Sequence, residues 1–208
     1  MTTSWDRPAR EPATVAADGT TTTRTVTIGV ALAVPEPFAG PLRDGRAGTG
    51  DPAAAAVPPH VTVVPPVQVP AGQVDGVVAH VRRVAAGLKP FALTLVGTGT
   101  FRPVSDVVFV QVVGGASACD QLQQKVRTGP LQRRLGFPYH PHVTVAHDVP
   151  GEALDAVQGQ LADFRAAFDV QAVSVYRCGD DGVWRVLAQA PLGVCPAVGS
   201  TSNPTGEA

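Results

Sequence analysis

The 208-residue sequence predicts a fold that mixes strands and helices in two related halves. Two observations carry that reading. Strand-like and helix-like segments alternate from about Thr25 to Leu192 in the order β-α-β-α-β-β-α-β-α-β-β. The phrase His-Val-Thr-Val also occurs twice, from His60 and from His142, and the two starts lie 82 residues apart, near half of the ordered region. An internal duplication is the economical explanation, although outside the phrase the halves share little visible sequence.

Each element has a local reason. Thr25 to Val34 (TVTIGVALAV) is rich in β-branched residues and is stopped by Pro35 and Pro37. Phe38 to Ala56 is rich in Gly, Ala and Pro and reads as a short helix followed by a mobile loop that could gate a groove. His60 to Val64 is a short strand, and Pro58-Pro59 and Pro65-Pro66 predict abrupt ends on both sides. Gln73 to Leu88 has apolar residues at Val74, Val77, Val78, Val81, Val84 and Leu88, a helical spacing that ends near Gly87 and Pro90. Phe91 to Gly97 and Val107 to Val113 read as two strands joined in a hairpin through Thr98–Asp106. Ala118 to Leu135 is a second helical region, interrupted at Gly129-Pro130. His142 to Ala146 is the second His/Thr strand. Glu152 to Phe168 is a further helix, with Leu154, Val157, Leu161 and Phe164 on one side. Phe168 to Tyr176 and Val183 to Ala190 close the chain as a hairpin around Asp180-Asp181-Gly182. Residues 1–23 read as a disordered leader, 24–192 as the folded domain with two lobes, and 193–208 as a disordered tail.

Composition excludes several classes. The formal net charge of −1 provides no global field for long nucleic acid or a membrane surface, so any polyanion must be bound locally. Cys119, Cys178 and Cys195 are odd in number and widely separated, which argues against a disulfide framework and for a reducing cytoplasm. Each is expected to be an inert thiol. No apolar run approaches the length of a membrane span, and the N-terminus does not read as a signal peptide. A cytoplasmic monomer is the expectation.

The repeated phrase carries the chemistry. Alternate side chains of a strand point to opposite faces, so His60 shares a face with Thr62, and His142 with Thr144, while the valines turn into a core. Phosphodiester cleavage needs a base for the attacking oxygen, an acid for the leaving oxygen and donors for the phosphoryl oxygens. Histidine titrates nearest neutrality, so a pair can hold one neutral and one protonated ring. Each threonine hydroxyl can donate to a non-bridging oxygen. This design requires no metal and no cofactor.

The two phrases resemble the His-x-Thr-x signatures of the 2H phosphoesterase superfamily, the 2′-5′ RNA ligase-like proteins. Pro59-His60-Val61-Thr62-Val63-Val64-Pro65-Pro66 looks like the first family motif in its proline frame, and Tyr139-His140-Pro141-His142-Val143-Thr144-Val145-Ala146 looks like the second. One such motif arises by chance in many chains; two in matching frames at this spacing are specific. The resemblance covers about Thr25 to Leu192. It implies a bilobal α+β fold with pseudo-two-fold symmetry, in which two antiparallel sheets flanked by helices surround a central groove. It implies His60 and His142 as the catalytic acid/base pair, with the direction of proton transfer open, and Thr62 and Thr144 as phosphate-binding hydroxyls. The family acts on 2′,3′-cyclic phosphates, 2′-5′ linkages or related nucleotide and RNA ends.

The neighbours of the motifs are weaker candidates. Phe101 and Tyr139 could stack on a base, or pack as core or rim. His147 falls past the strand end, where many family members carry a basic residue; it could help an anionic substrate, and a solvated loop histidine is the plainer reading. His140, in a His-x-His pair with His142, suggests a metal, but no third ligand of suitable spacing is evident, and a groove-edge or structural role fits better. His80 reads as a surface residue of its helix. Arg102 could meet a phosphate or sit in a solvated turn. Lys125, Arg127, Arg133 and Arg134 form a small basic patch that a charged helical face also explains.

The function expected is a metal-independent phosphodiesterase acting on a small nucleotide or RNA terminus, with reverse RNA ligation as a variant and RNA processing as the setting. A nucleotide- or RNA-end-binding module without turnover is the alternative. A fold-only relative with a coincidental motif pair is a third reading, and it would place His60 and His142 on opposite sides of the molecule.

Overall fold

In the computed structural model, residues 24–193 are described, so the leader, the tail beyond 193 and Cys195 lie outside the described residues. The chain runs β1 (Thr25–Ala33), α1 (Ala39–Gly48), β2 (His60–Pro70), α2 (Val74–Ala86), β3 (Phe91–Thr100), β4 (Val107–Gly114) and α3 (Ala116–Val126). It continues with β5 (His142–His147), α4 (Gly151–Gln160), β6 (Arg165–Val170), β7 (Ala172–Cys178) and β8 (Trp184–Pro191). The strands form two four-stranded antiparallel sheets, in the orders β2-β1-β7-β8 and β5-β4-β3-β6. The fold is thus bilobal and α+β, and the sheets correspond strand for strand. In each, the motif strand is the edge strand and pairs with the strand that precedes it across one α-helix: β1-α1-β2 and β4-α3-β5.

Hydrophobic alternation sets the register. Val61, Val63, Val143 and Val145 are fully buried in one core cluster with Ile28, Val30, Leu32, Leu93 and Leu95. A one-residue slip of β2 would turn Val61 and Val63 away from this core and bring a histidine and a threonine into it instead. Each fully buried valine contributes about 1.5 kcal/mol or more, so the slip costs several kcal/mol before the polar groups are counted. Val77, Val81 and Ala85 of α2, Leu122 and Val126 of α3, and Leu154 and Val157 of α4 close the core from the helical side. Cys119 lies in the same core, where burial pushes its thiol up to about 12, and Cys178 is also buried. Among the described residues no helix is long and apolar enough to cross a membrane.

Several expectations are corrected. Pro65-Pro66 does not end β2, which continues to Pro70. An edge strand has one side free of ladder bonds, so proline is tolerated there. α4 stops at Gln160, and Arg165–Val170 pairs with β3 as a strand. The strand expected at 168–176 is two strands: β6 belongs to one sheet, β7 to the other, and the chain crosses at Gln171. No Gly or Pro marks that crossing. The segment after α1 is pinned: Arg46 Nε donates to Asp51 Oδ2 at 2.7 Å in a buried ion pair, and Asp51 Oδ1 accepts the Ala53 N–H at 2.8 Å. His80 is buried rather than on the surface, and its Nε2 donates to the Val126 carbonyl at 3.0 Å, joining α2 to the end of α3.

Candidate active site

The two motif strands pack against each other at the junction of the sheets. His60 opens β2 and His142 opens β5. In both motifs the histidine follows a proline, and its Nδ1 lies 2.7 Å from the carbonyl oxygen two residues back, Pro58 for His60 and His140 for His142. The intervening Pro59 and Pro141 fix φ and hold the preceding residue extended, which aims that carbonyl at the ring. A carbonyl only accepts, so Nδ1 carries the hydrogen and Nε2 is the basic nitrogen of each neutral ring. The same local device sets the same tautomer twice.

A second repeated feature follows each threonine. Thr62 pairs with Ala31 and Val64 with Val30, so Val63 has no partner of its own in the ladder. Thr144 pairs with Phe109 and Ala146 with Val108, so Val145 is skipped in the same way. Each motif therefore carries a β-bulge at its fourth residue. Both bulges leave consecutive buried residues, Val63-Val64 and Val145-Ala146. Bulges bend the strand and re-aim side chains beside functional sites.

Cross-strand pairing identifies what shares the motif faces. Beneath the first motif stand Ala33 and Ala31, the partners of His60 and Thr62. Ala31 belongs to a small separate cluster with Val57, Tyr176, Cys178 and Trp184. Beneath the second motif stand Gln111 and Phe109, the partners of His142 and Thr144. The floor is therefore asymmetric, with two alanines under one motif and Gln111 and Phe109 under the other.

The Phe109 ring lies 5.1 Å from that of His142, and Phe101 lies 5.1 Å from it at an interplanar angle of 87°. Phe101 and Phe109 are 4.4 Å apart. Exposed His140 completes the group, 5.5 Å from Phe101 and 5.8 Å from His142. Gly99, opposite Phe109, makes room for this packing, because a Cβ there would come within 2.8 Å of the Phe109 ring. Phe109 was not a candidate from the sequence; only the register opposite Thr144 singles it out from the other apolar residues of β4.

This enclosure lowers the pKa of His142 from 6.5 to about 4. Burial is the main cause. The bond to the His140 carbonyl opposes it, and the charges of His140 and His60 lower it further. His60 and His142 are thus within electrostatic reach of each other, not on opposite sides of the molecule.

Other candidates fall around this pair. Thr62 and Thr144 are half-buried beside their histidines. Tyr139 packs against the main core and its hydroxyl donates to the Thr62 carbonyl at 2.9 Å. Burial, then the nearby Cys119 and Asp120, hold that phenol protonated. His147 is not a solvated loop residue. It ends β5 buried, opposite Val107, on the face that carries Phe109 and Thr144, with Nε2 3.5 Å from Asp148 Oδ1. Arg102 is committed to α4, donating to Asp155 Oδ1 at 2.6 Å and Gln158 Oε1 at 3.1 Å. Arg133 donates to the Pro65 and Pro66 carbonyls at 3.2 and 3.0 Å. Among the described residues, no three His, Cys, Asp or Glu side chains gather as a metal site.

The model of the 2′-5′ RNA ligase superfamily matches residues 34–182. A protein of Bacillus licheniformis, provisionally named a phosphoesterase, is 31% identical over 147 residues, covering 69% of this chain and 85% of its own. A Halalkalibacterium halodurans protein, also provisionally named a phosphoesterase, is 29% identical over 145 residues, covering 69% of this chain and 84% of its own. Among solved structures, apo LigT of E. coli superposes with a TM-score of 0.61 at 22% identity, covering 81% of this chain and 98% of LigT. That likeness is one of fold. LigT has also been crystallised with 3′-AMP, ATP and phosphate.

Proposed function

The chain belongs to the 2′-5′ RNA ligase superfamily, and from that premise we propose that it is a metal-independent phosphodiesterase for 2′,3′-cyclic phosphates or 2′-5′ linkages at nucleotide or RNA ends. The observation that carries this reading is the duplicated device: two histidines, each locked with Nδ1–H on a carbonyl and Nε2 basic, each followed by a hydroxyl on the same face. The asymmetry of their surroundings favours one direction of proton transfer. His142, depressed to about 4, is neutral near pH 7, which suits it to act as the base. His60 is then the acid.

Water is held against phosphorus, and His142 Nε2 takes its proton as the new P–O bond forms. The bond from phosphorus to one ribose oxygen breaks, and His60 Nε2–H protonates that oxygen. Thr62 and Thr144 donate to the non-bridging oxygens, where charge accumulates. With a ribose hydroxyl in place of water the same steps transfer the phosphoryl group, and their reversal joins ends. Phe101 and His140 form an edge on which a base can rest. Tyr139 is a brace for the first motif rather than the main stacking surface. His147 lies further along the face of Thr144, and its proposed role is toward an anion beyond the scissile phosphate. The complexes of LigT support a nucleotide-sized ligand for this fold. The buried core thiol supports a reducing, cytoplasmic location.

A nucleotide- or RNA-end-binding module without turnover is the second reading. It is favoured by the commitment of Arg102 and Arg133 to internal partners, which leaves neither arginine to offset the charge that develops during turnover. The deciding experiment incubates the protein with 2′,3′-cyclic nucleotides and a 2′-5′ dinucleotide in the presence of chelator. Opened product is expected; binding without product would select the module.

A further inference from the structure

We propose a second ligand site outside the paired motifs: a surface pocket on α3 that accepts the phosphate of a nucleotide. The pocket encloses about 390 Å³ and is lined by Asp120, Gln123, Arg127, Arg134, Phe137 and Tyr139. That volume lies within the range of small-molecule sites.

The strongest observation is unsatisfied donors. Gln123 is 1% exposed, yet its Nε2 has no hydrogen-bond partner, and the buried Nε of Arg127 has none either. A buried N–H left unpaired costs about 1–3 kcal/mol, and both residues border the same pocket, so an acceptor that enters it and draws these side chains toward it would relieve that cost. Charge favours an anion. Arg127 and Arg134 face one carboxylate, Asp120, whose Oδ2 already accepts from Gln124 at 2.8 Å. Arg127 is held by its Nη1, which donates to the Arg133 carbonyl at 2.8 Å, so its guanidinium is presented rather than free to swing away. Phosphate oxygens match the guanidinium and amide donors. Phe137, 60% exposed at the rim, offers a face for a base, and this extends the ligand from phosphate to nucleotide.

The site is tied to the motifs by Tyr139, which lines the pocket and also donates to the Thr62 carbonyl. Its ligand can be a free mononucleotide or a flanking nucleotide of an oligonucleotide. The site stands on its own geometry and does not depend on the proposed catalysis.

The test follows the Gln123 side-chain amide and the Arg127 Nε–H by NMR in the full chain, with His60→Ala and His142→Ala combined to weaken the central site. AMP is expected to shift both signals saturably. Gln123→Met, which keeps shape and removes the donors, and the surface change Arg134→Ala should each weaken that titration about tenfold or more. Signals that stay still, or an Arg127 Nε–H signal that titrates as tightly in both variants as in their parent, would overturn the site. Inorganic phosphate should bind more weakly than AMP; equal affinity would remove the base from the proposal. A tetranucleotide whose affinity for the otherwise unaltered protein falls with Arg134→Ala would assign the flanking source. A tetranucleotide unaffected while AMP is lost would assign the free one.

Discussion

The Tyr139 hydroxyl donates to the Thr62 carbonyl at 2.9 Å, so the segment leading into the second motif is bonded to the backbone of the first. The two lobes are therefore joined at the level of the two motifs and not only through the valine core. Tyr139→Phe removes one bond to a partly buried carbonyl, and a stability loss of about 1 kcal/mol is expected in urea unfolding. Turnover should fall through kcat, because Thr62 loses its fixed position, and binding of an inert nucleotide by calorimetry should change little.

Threonine hydroxyls that hold developing charge are worth more than their ground-state bonds. Thr62→Val and Thr144→Val keep shape and remove the donor, and each is expected to reduce kcat about 10- to 100-fold. Steady-state kinetics on a cyclic nucleotide checks this; an effect confined to KM would assign the hydroxyls to substrate binding alone.

The pH–rate profile should carry the asymmetry of the histidines. His142 is the base only when neutral, so kcat/KM should rise as pH increases through about 4 and fall at higher pH as the acid loses its proton. The ring of His140 lowers the pKa of His142 by its charge, whereas its carbonyl bond to His142 belongs to the backbone. His140→Ala removes the first and keeps the second. Its acid limb should move to higher pH.

Stability shares this group. His142 is harder to protonate in the folded chain than in the unfolded one, so its contribution is intact above pH 6.5 and is lost as pH falls toward about 4. The loss is on the order of 2–3 kcal/mol. Urea midpoints measured between pH 7 and 4 should decline in the unaltered protein and decline less in His142→Gln.

Gly99 leaves space for the ring of Phe109, which in turn packs on His142. Gly99→Val should displace that ring, open the enclosure and raise the acid limb of the profile, with a stability cost of about 1–3 kcal/mol from overpacking. A variant that folds and keeps the original limb would separate Phe109 from the tuning of His142.

Much of this molecule could be read from residue order. The motif strands, the helices α2 and α3 and the β3–β4 hairpin follow from period-2 and 3.6-residue patterns, because those patterns record which face is buried. The crossing at Gln171 left no such mark, since β6 and β7 follow one another as one β-rich run and a sheet change needs no turn residue. Pro65-Pro66 misled for a related reason: proline stops an interior strand, and only the sheet order reveals that β2 is an edge. His80 and His147 are buried by contacts from other elements, α3 and β4, which no local pattern reports. The paired bulges and the place of Phe109 depend on register between strands. The pairing of the two motifs was thus legible, and the asymmetry around them was not.

The central claim is that His60 and His142 act as one acid/base unit without a metal. The most direct measurement is single-turnover opening of a 2′,3′-cyclic nucleotide, with chelator present, by the unaltered protein, His60→Ala, His142→Ala and the double variant. Groups that act as a unit are not additive, so each single variant should lose about 10²- to 10⁴-fold and the double variant little more. Turnover that survives either single change, with the fold intact by circular dichroism, would contradict the account.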